Sequence, residues 1–209
     1  MKTREIILSA AALMVLSGAP ALAQQSSTSS TPTSAPDKPE SIAQRKDNQQ
    51  DRIAQGIQSG QLTSGETKNL ETKEAGLNSE ERTMRSEDDG HLTSADRTQL
   101  NNQQNHLSNQ IYDDKHNAAV EHNGPGEIGQ REENQQDRIA QGVQSGQLTA
   151  GETAKLENQQ QGIHREAAAD RQANGGHLTR ADRRAINQSQ NRASRNIYNK
   201  KHNGNRTRP

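Results

Sequence analysis

The chain has 209 residues, no cysteine, no Trp and no Phe, and its formal net charge is zero. Without cysteine no disulfide can stabilise the fold, and with so few large apolar side chains a lined substrate pocket is difficult to build. The sequence contains neither a nucleophile elbow nor a phosphate-binding loop, so we predict a protein that is not an enzyme and has no cofactor.

Residues 1–23 have the pattern of a secretory signal peptide. Lys2 and Arg4 supply the positive start, an apolar stretch follows, and residues 21–23 (Ala-Leu-Ala) have the small-x-small form of a cleavage site. The apolar stretch is too short for a membrane span, so we predict cleavage after Ala23, a periplasmic or secreted location and no later transmembrane segment. Residues 24–40 are rich in Ser, Thr and Pro and are predicted to be a disordered spacer.

The rest of the chain is a duplication. Residues 45–117 align with residues 131–203 at a constant offset of 86, and about 40 of the 73 positions are identical. Such a repeat indicates two copies of one module. The predicted divisions are module one at 41–117, a linker at 118–129, module two at 130–203 and a basic tail at 204–209. The copies differ in charge: residues 45–117 carry nine basic and thirteen acidic side chains, whereas residues 131–209 carry fourteen and eight.

Two Gly-x-Leu-Thr turns in each repeat predict where helices begin. A Thr followed three residues later by an acid forms a capping box, in which each side chain satisfies the backbone N–H of the other. The four pairs are Thr63 with Glu66, Thr93 with Asp96, Thr149 with Glu152 and Thr179 with Asp182. Leu62 and Leu92 precede two of these caps and are expected to close the ends of the helical bundle.

Apolar side chains recur at helical spacing between the turns. In repeat one they are Ile42, Ile53 and Ile57, then Leu70, Leu77 and Met84, then Leu100, Leu107 and Ile111. We therefore predict an all-α protein, a tandem duplication of a three-helix module that gives two small bundles joined by a linker. A single extended helical array, and whether the modules pack on each other, stay open.

The same turns allow a comparison with calcium-binding EF-hand loops. If Gly90 is the sixth loop residue, then Asp96 is the twelfth and Asp89 the fifth, with Asp88 beside it, but Arg85 falls at the first position. The second copy offers Arg, Ala and Gly at these positions, which cannot form a cage of oxygen ligands. Helix capping explains the turns, we predict no metal site, and a calcium-binding module with degenerate turns is an alternative whose candidate ligands are Asp88, Asp89 and Asp96.

The end of module two is strongly basic. On a helix Arg180, Arg184 and Arg195 share one face, which could bind an anionic component of the cell envelope. Nucleic acid is an unlikely partner because the chain has few aromatic rings to stack on bases. The competing interpretation is a solvated basic surface. The opposite charges of the modules also suggest that the acidic module faces the basic one, within a chain or by self-association.

The repeated pattern resembles that of a known family. The residues that carry it are Arg52-Ile53-x-x-Gly56-x-x-Ser59-Gly60-x-Leu62-Thr63-x-x-Glu66 and Ile111-Tyr112-x-x-Lys115-His116-Asn117. They resemble a family of small exported bacterial all-helical repeat proteins without an assigned activity, and the composition is similar to that of hydrophilins. The resemblance implies a periplasmic or secreted setting and no assigned activity. Taken with the rest of the sequence, we predict an exported interaction or structural protein of the cell envelope. A hydrophilin-like stress protectant is a further alternative.

Overall fold

The computed structural model describes residues 41–124 and 126–207, and it confirms the all-α class for this part of the chain. The helices are α1 (Ile42–Gln58), α2 (Ser64–Glu87), α3 (Ser94–His116), α4 (Gly126–Gln144), α5 (Ala150–Ala173) and α6 (Arg180–Lys201), and no strand occurs between residues 41 and 207 where they are described. The predicted signal peptide and spacer lie outside the described residues.

Within the described residues, capping boxes begin α1, α2, α3, α5 and α6. The hydroxyl of Thr63 accepts from the N–H of Glu66, while the Glu66 carboxylate accepts from the N–H of Thr63 at 2.9 Å. Thr93, Thr149 and Thr179 form the same box with the acid three residues later. Ser41 and Gln44 form a fifth box at the start of α1, where the sequence analysis identified no cap. These contacts satisfy backbone donors that a helix otherwise leaves without a partner.

Helix α4 begins earlier than the predicted linker allows. It starts at Gly126, so it includes the last four residues of the segment 118–129. Ile128 explains the difference, because its side chain is buried in a small cluster with Ile163 and Ile186. Burying this side chain favours the additional helical turn.

The main helix contacts join the two repeats. Helix α1 packs along α4 and α2 packs along α5, whereas α1 and α2 touch each other only sparingly. Helix α3 packs on α1 and α2, α6 packs on α4 and α5, and α3 and α6 do not touch. The described residues thus form one compact unit, which answers whether the repeats pack on each other.

An approximate twofold axis relates the repeats. The N–H of Glu121 donates to the Gly60 carbonyl at 2.9 Å, and the equivalent N–H of Thr207 donates to the Gly146 carbonyl at 3.1 Å. A Cβ added at Gly65 would contact Gln161, and one added at Gly151 would contact Ala75, 86 residues before Gln161. Each repeat therefore offers the same surface to the other, as in an isologous dimer.

One apolar core is shared by both repeats. It includes Ile53, Ile57, Leu62, Leu70, Leu107 and Ile111 from repeat one, and Ile139, Val143, Leu148, Leu156 and Ile197 from repeat two. Leu62 lies directly over Gly56, where a Cβ would stand 2.5 Å from the Leu62 Cδ1 atom. Met84 is partly exposed and lies outside this core, so the predicted stripe of α2 ends at Leu77.

Buried polar side chains lie beside the apolar core. Gln50 donates to Glu71 at 3.1 Å, and Gln136 donates to Glu157 at 3.0 Å and to the Ser64 hydroxyl at 3.1 Å. Burial raises the pKa of Glu71 well above its ordinary value and that of Glu157 to about 8. Apolar and hydrogen-bonded groups therefore make the contact between the repeats, where the sequence suggested attraction between an acidic and a basic module.

Candidate anion-binding face

The three predicted arginines lie on the solvent side of α6. Arg184 and Arg195 follow Arg180 by 4 and 15 residues, which at 3.6 residues per turn rotates them by only about 40° and 60°. All three are exposed, whereas Ile186 and Ile197 on the opposite side are fully buried. Core packing thus fixes the rotation of α6 and holds the arginines toward solvent.

Tyr198 and His202 extend this face toward the end of α6. Tyr198 follows Arg180 by five helical turns, about 27 Å along the axis. Its ring stacks on that of His202 with centroids 4.2 Å apart, and His202 Nδ1 lies 2.7 Å from the Tyr198 carbonyl oxygen. Tyr198 is 58% exposed. We call Arg180, Arg184, Arg195, Tyr198 and His202 the α6 face.

Repeat one carries the same aromatic pair without the arginines. Tyr112 and His116 stack at 4.1 Å, and Tyr112 is 57% exposed. Ser94, Thr98 and Asn109 stand at the positions of the three arginines. Helix α3 is therefore an internal comparison, with the same shape and rings but a neutral surface.

The other shared residues of the closing motif have structural roles. Ile111 and Ile197 are fully buried. Asn117 donates to Glu66 at 2.7 Å and Asn203 donates to Glu152 at 2.5 Å, so each Asn ties the end of one helix to a capping box. The Tyr and His rings are shared although they lie outside the core, which is a reason to expect a role at the surface.

A cavity lies beside the first turns of α6. It has a volume of about 350 Å³, with Ile128 and Leu178 as its apolar part and Arg171, Arg183 and Asn187 as its polar part. Repeat one has an equivalent cavity of about 400 Å³. These five residue types are the same in both copies. Their equivalents in repeat one are Ile42, Arg85, Leu92, Arg97 and Asn101. This cavity was not predicted from the sequence, although the identity of the two copies at these positions was a usable signal.

The three candidate calcium ligands lie at helix ends, where Asp96 caps α3 and where Asp88 and Asp89 follow α2. The carboxylate of Asp96 accepts from the N–H of Thr93 at 2.8 Å and from its hydroxyl at 2.7 Å, and these hydrogen bonds lower the pKa of Asp96. Asp88 is the residue after α2, and Asp89 has a left-handed backbone with φ of 50°. Within the described residues, no group of three or more His, Asp or Glu side chains is placed to hold a metal ion.

His164 belongs to a cluster that the sequence analysis did not identify. Its Nε2 atom lies 3.1 Å from Glu132 and 3.3 Å from Glu121. The contact with Glu132 raises the pKa of His164 more than burial lowers it. His164 has Asn78 as its repeat equivalent, and Glu132 has Lys46, so the copies differ at both positions.

Known proteins give no further guide to this surface. No protein-family model, curated protein or solved structure matches the chain. None of the described helices is long and apolar enough to cross a membrane. The resemblance to exported helical repeat proteins therefore stays a prediction.

Proposed function

We propose that this chain is an exported, non-enzymatic interaction protein of the cell envelope that binds an anionic envelope component through the α6 face. The observation that carries the proposal is the exposure of Arg180, Arg184 and Arg195 along one side of α6. The structure gives these three side chains no acidic partner among its described residues. Their charges are thus available to an external anion.

The chemistry of the face suits phosphate or carboxylate groups on an extended surface. A guanidinium group presents a planar fork of donors that matches both kinds of oxyanion. Tyr198 adds an exposed ring with a polar end, a combination that is frequent at membrane and protein interfaces. Basic side chains near an anionic membrane contribute about 1 kcal/mol each. Anionic lipid is therefore the first ligand to test.

The test compares binding of the exported chain (residues 24–209) to anionic and zwitterionic vesicles by co-sedimentation. The substitutions Arg180→Gln and Arg184→Gln together should weaken binding to anionic vesicles by about thirtyfold, since two charges near the membrane contribute about 2 kcal/mol. The matched control is Lys155→Gln with Arg165→Gln, which removes two exposed charges from α5. An equal loss in both variants would show that overall charge, and not the α6 face, decides binding.

The internal repeat also permits a gain-of-function test. Ser94→Arg with Thr98→Arg places two arginines at the positions of α3 that correspond to Arg180 and Arg184. This variant should bind anionic vesicles more tightly than the unchanged chain, because α3 already presents the Tyr112–His116 stack. Unchanged affinity would contradict the proposal. A calcium-binding module and a hydrophilin-like protectant are the competing predictions, and no described contact favours either.

A further inference from the structure

The twofold contact between the repeats creates two equivalent cavities. The first has a volume of about 270 Å³, and we call it the His164 cavity; its lining includes Thr63, Ser64, Val120, Glu121 and His164. The second has a volume of about 210 Å³, and we call it the Arg206 cavity; its lining includes Lys46, Arg82, Thr149, Ala150, Arg206 and Thr207. Thr149, Ala150, Arg206 and Thr207 are the repeat equivalents of Thr63, Ser64, Val120 and Glu121.

In the His164 cavity the chain supplies its own anion. The carboxylate of Glu121 accepts from the N–H of Ser64, the first residue of α2, at 2.7 Å. The same carboxylate lies 3.3 Å from His164. A negative group at this position satisfies a backbone donor and interacts favourably with the helix dipole.

The Arg206 cavity has the same backbone but no such carboxylate. Thr207 replaces Glu121, and its hydroxyl donates to the Leu148 carbonyl at 2.8 Å. Ala150 replaces Ser64 and is only 2% exposed, and the structure gives its N–H no acceptor among the described residues. A buried donor without an acceptor is unfavourable, so this cavity lacks the group that completes its counterpart.

The charges around the Arg206 cavity are also reversed. Lys46 stands at the position of Glu132, and Arg82, Arg85 and Arg206 line the same space. Glu81 accepts from Lys46 at 2.9 Å and from Arg85 at 2.8 Å. The structure gives Arg82 and Arg206 no acidic partner among the described residues. Positive charge therefore predominates around a buried backbone donor.

We propose that the Arg206 cavity binds a phosphate group, which accepts from the N–H of Ala150 and from the guanidinium groups of Arg82 and Arg206. The bound phosphate accepts from the first N–H of α5, as the Glu121 carboxylate accepts from the first N–H of α2. The volume of the Arg206 cavity suits a single phosphate group, because it is smaller than the pockets that enclose drug-sized ligands. The site is separate from the α6 face and does not depend on the function proposed for that face.

The first experiment titrates residues 24–209 with inorganic phosphate by calorimetry and thermal melting, with sodium chloride at matched ionic strength as the reference. Phosphate should raise the melting temperature, and the chloride reference should not. Arg82→Gln and Arg206→Gln should each weaken phosphate binding by about tenfold, the factor expected for one lost hydrogen bond between charged groups. Lys155→Gln with Arg165→Gln, two exposed charges that lie neither on the α6 face nor at the Arg206 cavity, should leave it unchanged.

The decisive variant is Thr207→Glu, which places a carboxylate where Glu121 lies in the other repeat. It should raise the melting temperature without phosphate and abolish the response to phosphate. Equal phosphate responses in Thr207→Glu, Arg82→Gln and the unchanged protein would overturn the proposal, as would an equal response to chloride. Because Arg82 is exposed, its variant keeps the test valid even if Thr207→Glu fails to fold.

Vesicles distinguish the two sources of phosphate. If Thr207→Glu loses the response to inorganic phosphate and binds phosphatidylglycerol vesicles as the unchanged protein does, the site takes a free phosphate group. If it also loses vesicle binding, the site takes a lipid head group. Both results support the site. The function proposed for the α6 face is tested separately, by the vesicle binding of the variant with Arg180→Gln and Arg184→Gln.

Discussion

At the scale of single residues, Glu74 differs most clearly from its equivalent in the other repeat. Its equivalent, Gln160, donates to Gln135 Oε1 at 3.1 Å. Glu74 is 1% exposed. Among the described residues, neither of its carboxylate oxygens has a hydrogen-bond partner, and Gln49 Oε1 has no donor. Burial raises the pKa of Glu74 to about 7. A protonated Glu74 could donate to Gln49 as Gln160 does to Gln135.

We predict that Glu74→Gln stabilises the protein above pH 7. The pKa of Glu74 is raised in the folded state, so its contribution to stability is complete below pH 4.5 and is lost as pH rises through about 7. The variant should gain about 3 kcal/mol in free energy of unfolding at pH 8 and little at pH 5. Urea unfolding at both pH values measures this, and Gln160→Glu is the reciprocal variant, expected to lose stability at pH 8. Equal effects of Glu74→Gln at both pH values would contradict the role of ionisation.

The capping role of Asp96 leads to a prediction about calcium. Because the Asp96 carboxylate already accepts two hydrogen bonds from Thr93, millimolar calcium should leave the helical circular dichroism spectrum and melting temperature unchanged. A chelator should also have no effect. A calcium-dependent rise of the melting temperature that Asp96→Asn removes would instead favour the EF-hand alternative.

At the scale of helices, two glycines in helical conformation show opposite requirements. A Cβ at Gly56 in α1 would stand 2.5 Å from Leu62 Cδ1, whereas one at Gly76 in α2 would meet nothing within 4 Å. Glycine is unfavourable inside a helix, but at position 56 a larger residue would prevent Leu62 from packing in the core. The repeat equivalents Gly142 and Leu148 show the same close approach.

We predict that Gly56→Ala destabilises the protein and that Gly76→Ala stabilises it. The first change overfills the core beside Leu62 and should cost about 1–3 kcal/mol. The second should gain about 0.5–1 kcal/mol, the ordinary preference of a helix interior for Ala. Thermal unfolding of both variants provides the comparison. A gain in stability from both would mean that Leu62 does not depend on the glycine.

Helix ends could be predicted from the sequence, but the packing of helices could not. Thr63 and Glu66 form a local pattern whose physics is complete within four residues. The buried faces of α1 and α2 carry Gln49, Gln50, Glu71 and Glu74, which in a sequence resemble solvent-exposed side chains. Only partners distant in sequence, such as Ser64 for Gln136, make their burial favourable. The α6 arginines were predictable because nothing beyond their own helix decides which side they share.

At the scale of the whole molecule, the shared core means that neither repeat is complete alone. Ile53 and Leu70 pack in the same cluster as Ile139 and Leu156. Helix α1 has few contacts with α2, so removing α4 and α5 would expose the inner sides of both. The stability of each repeat therefore depends on the other.

We predict that residues 41–124 and 126–207, produced separately, are poorly folded alone and gain helical structure when mixed. The association should change little between about 20 mM and about 300 mM salt, because apolar burial is screened far less than surface charge. Circular dichroism of the separate and mixed chains measures this. Two cooperative, independent unfolding transitions would contradict a shared core. Loss of association at high salt would instead favour attraction between an acidic and a basic repeat.

The buried acids predict how the stability of the molecule depends on pH. The pKa values of Glu71, Glu157 and His164 are raised, so their contributions are complete at low pH and are lost as pH rises through those raised values. Burial acts to raise the pKa values of Glu81 and Glu152, but their hydrogen bonds outweigh it and the net pKa of each is lowered. Their contributions to stability are therefore lost as pH falls below about 4.5. The melting temperature should be highest near pH 5 and lower at pH 8. A maximum at pH 8 would mean that Glu71 and Glu157 are ionised without cost.

The approximate twofold axis also has an evolutionary consequence. A single-copy ancestor could have made this contact with a second identical chain, as a homodimer. Such a dimer must carry the same residue at both equivalent positions, because one gene encodes both. Fusion of two copies into one chain removes that constraint. It allowed Glu121 to neutralise one cavity while Thr207, Lys46 and Arg206 turned the other into a candidate receptor for an anion.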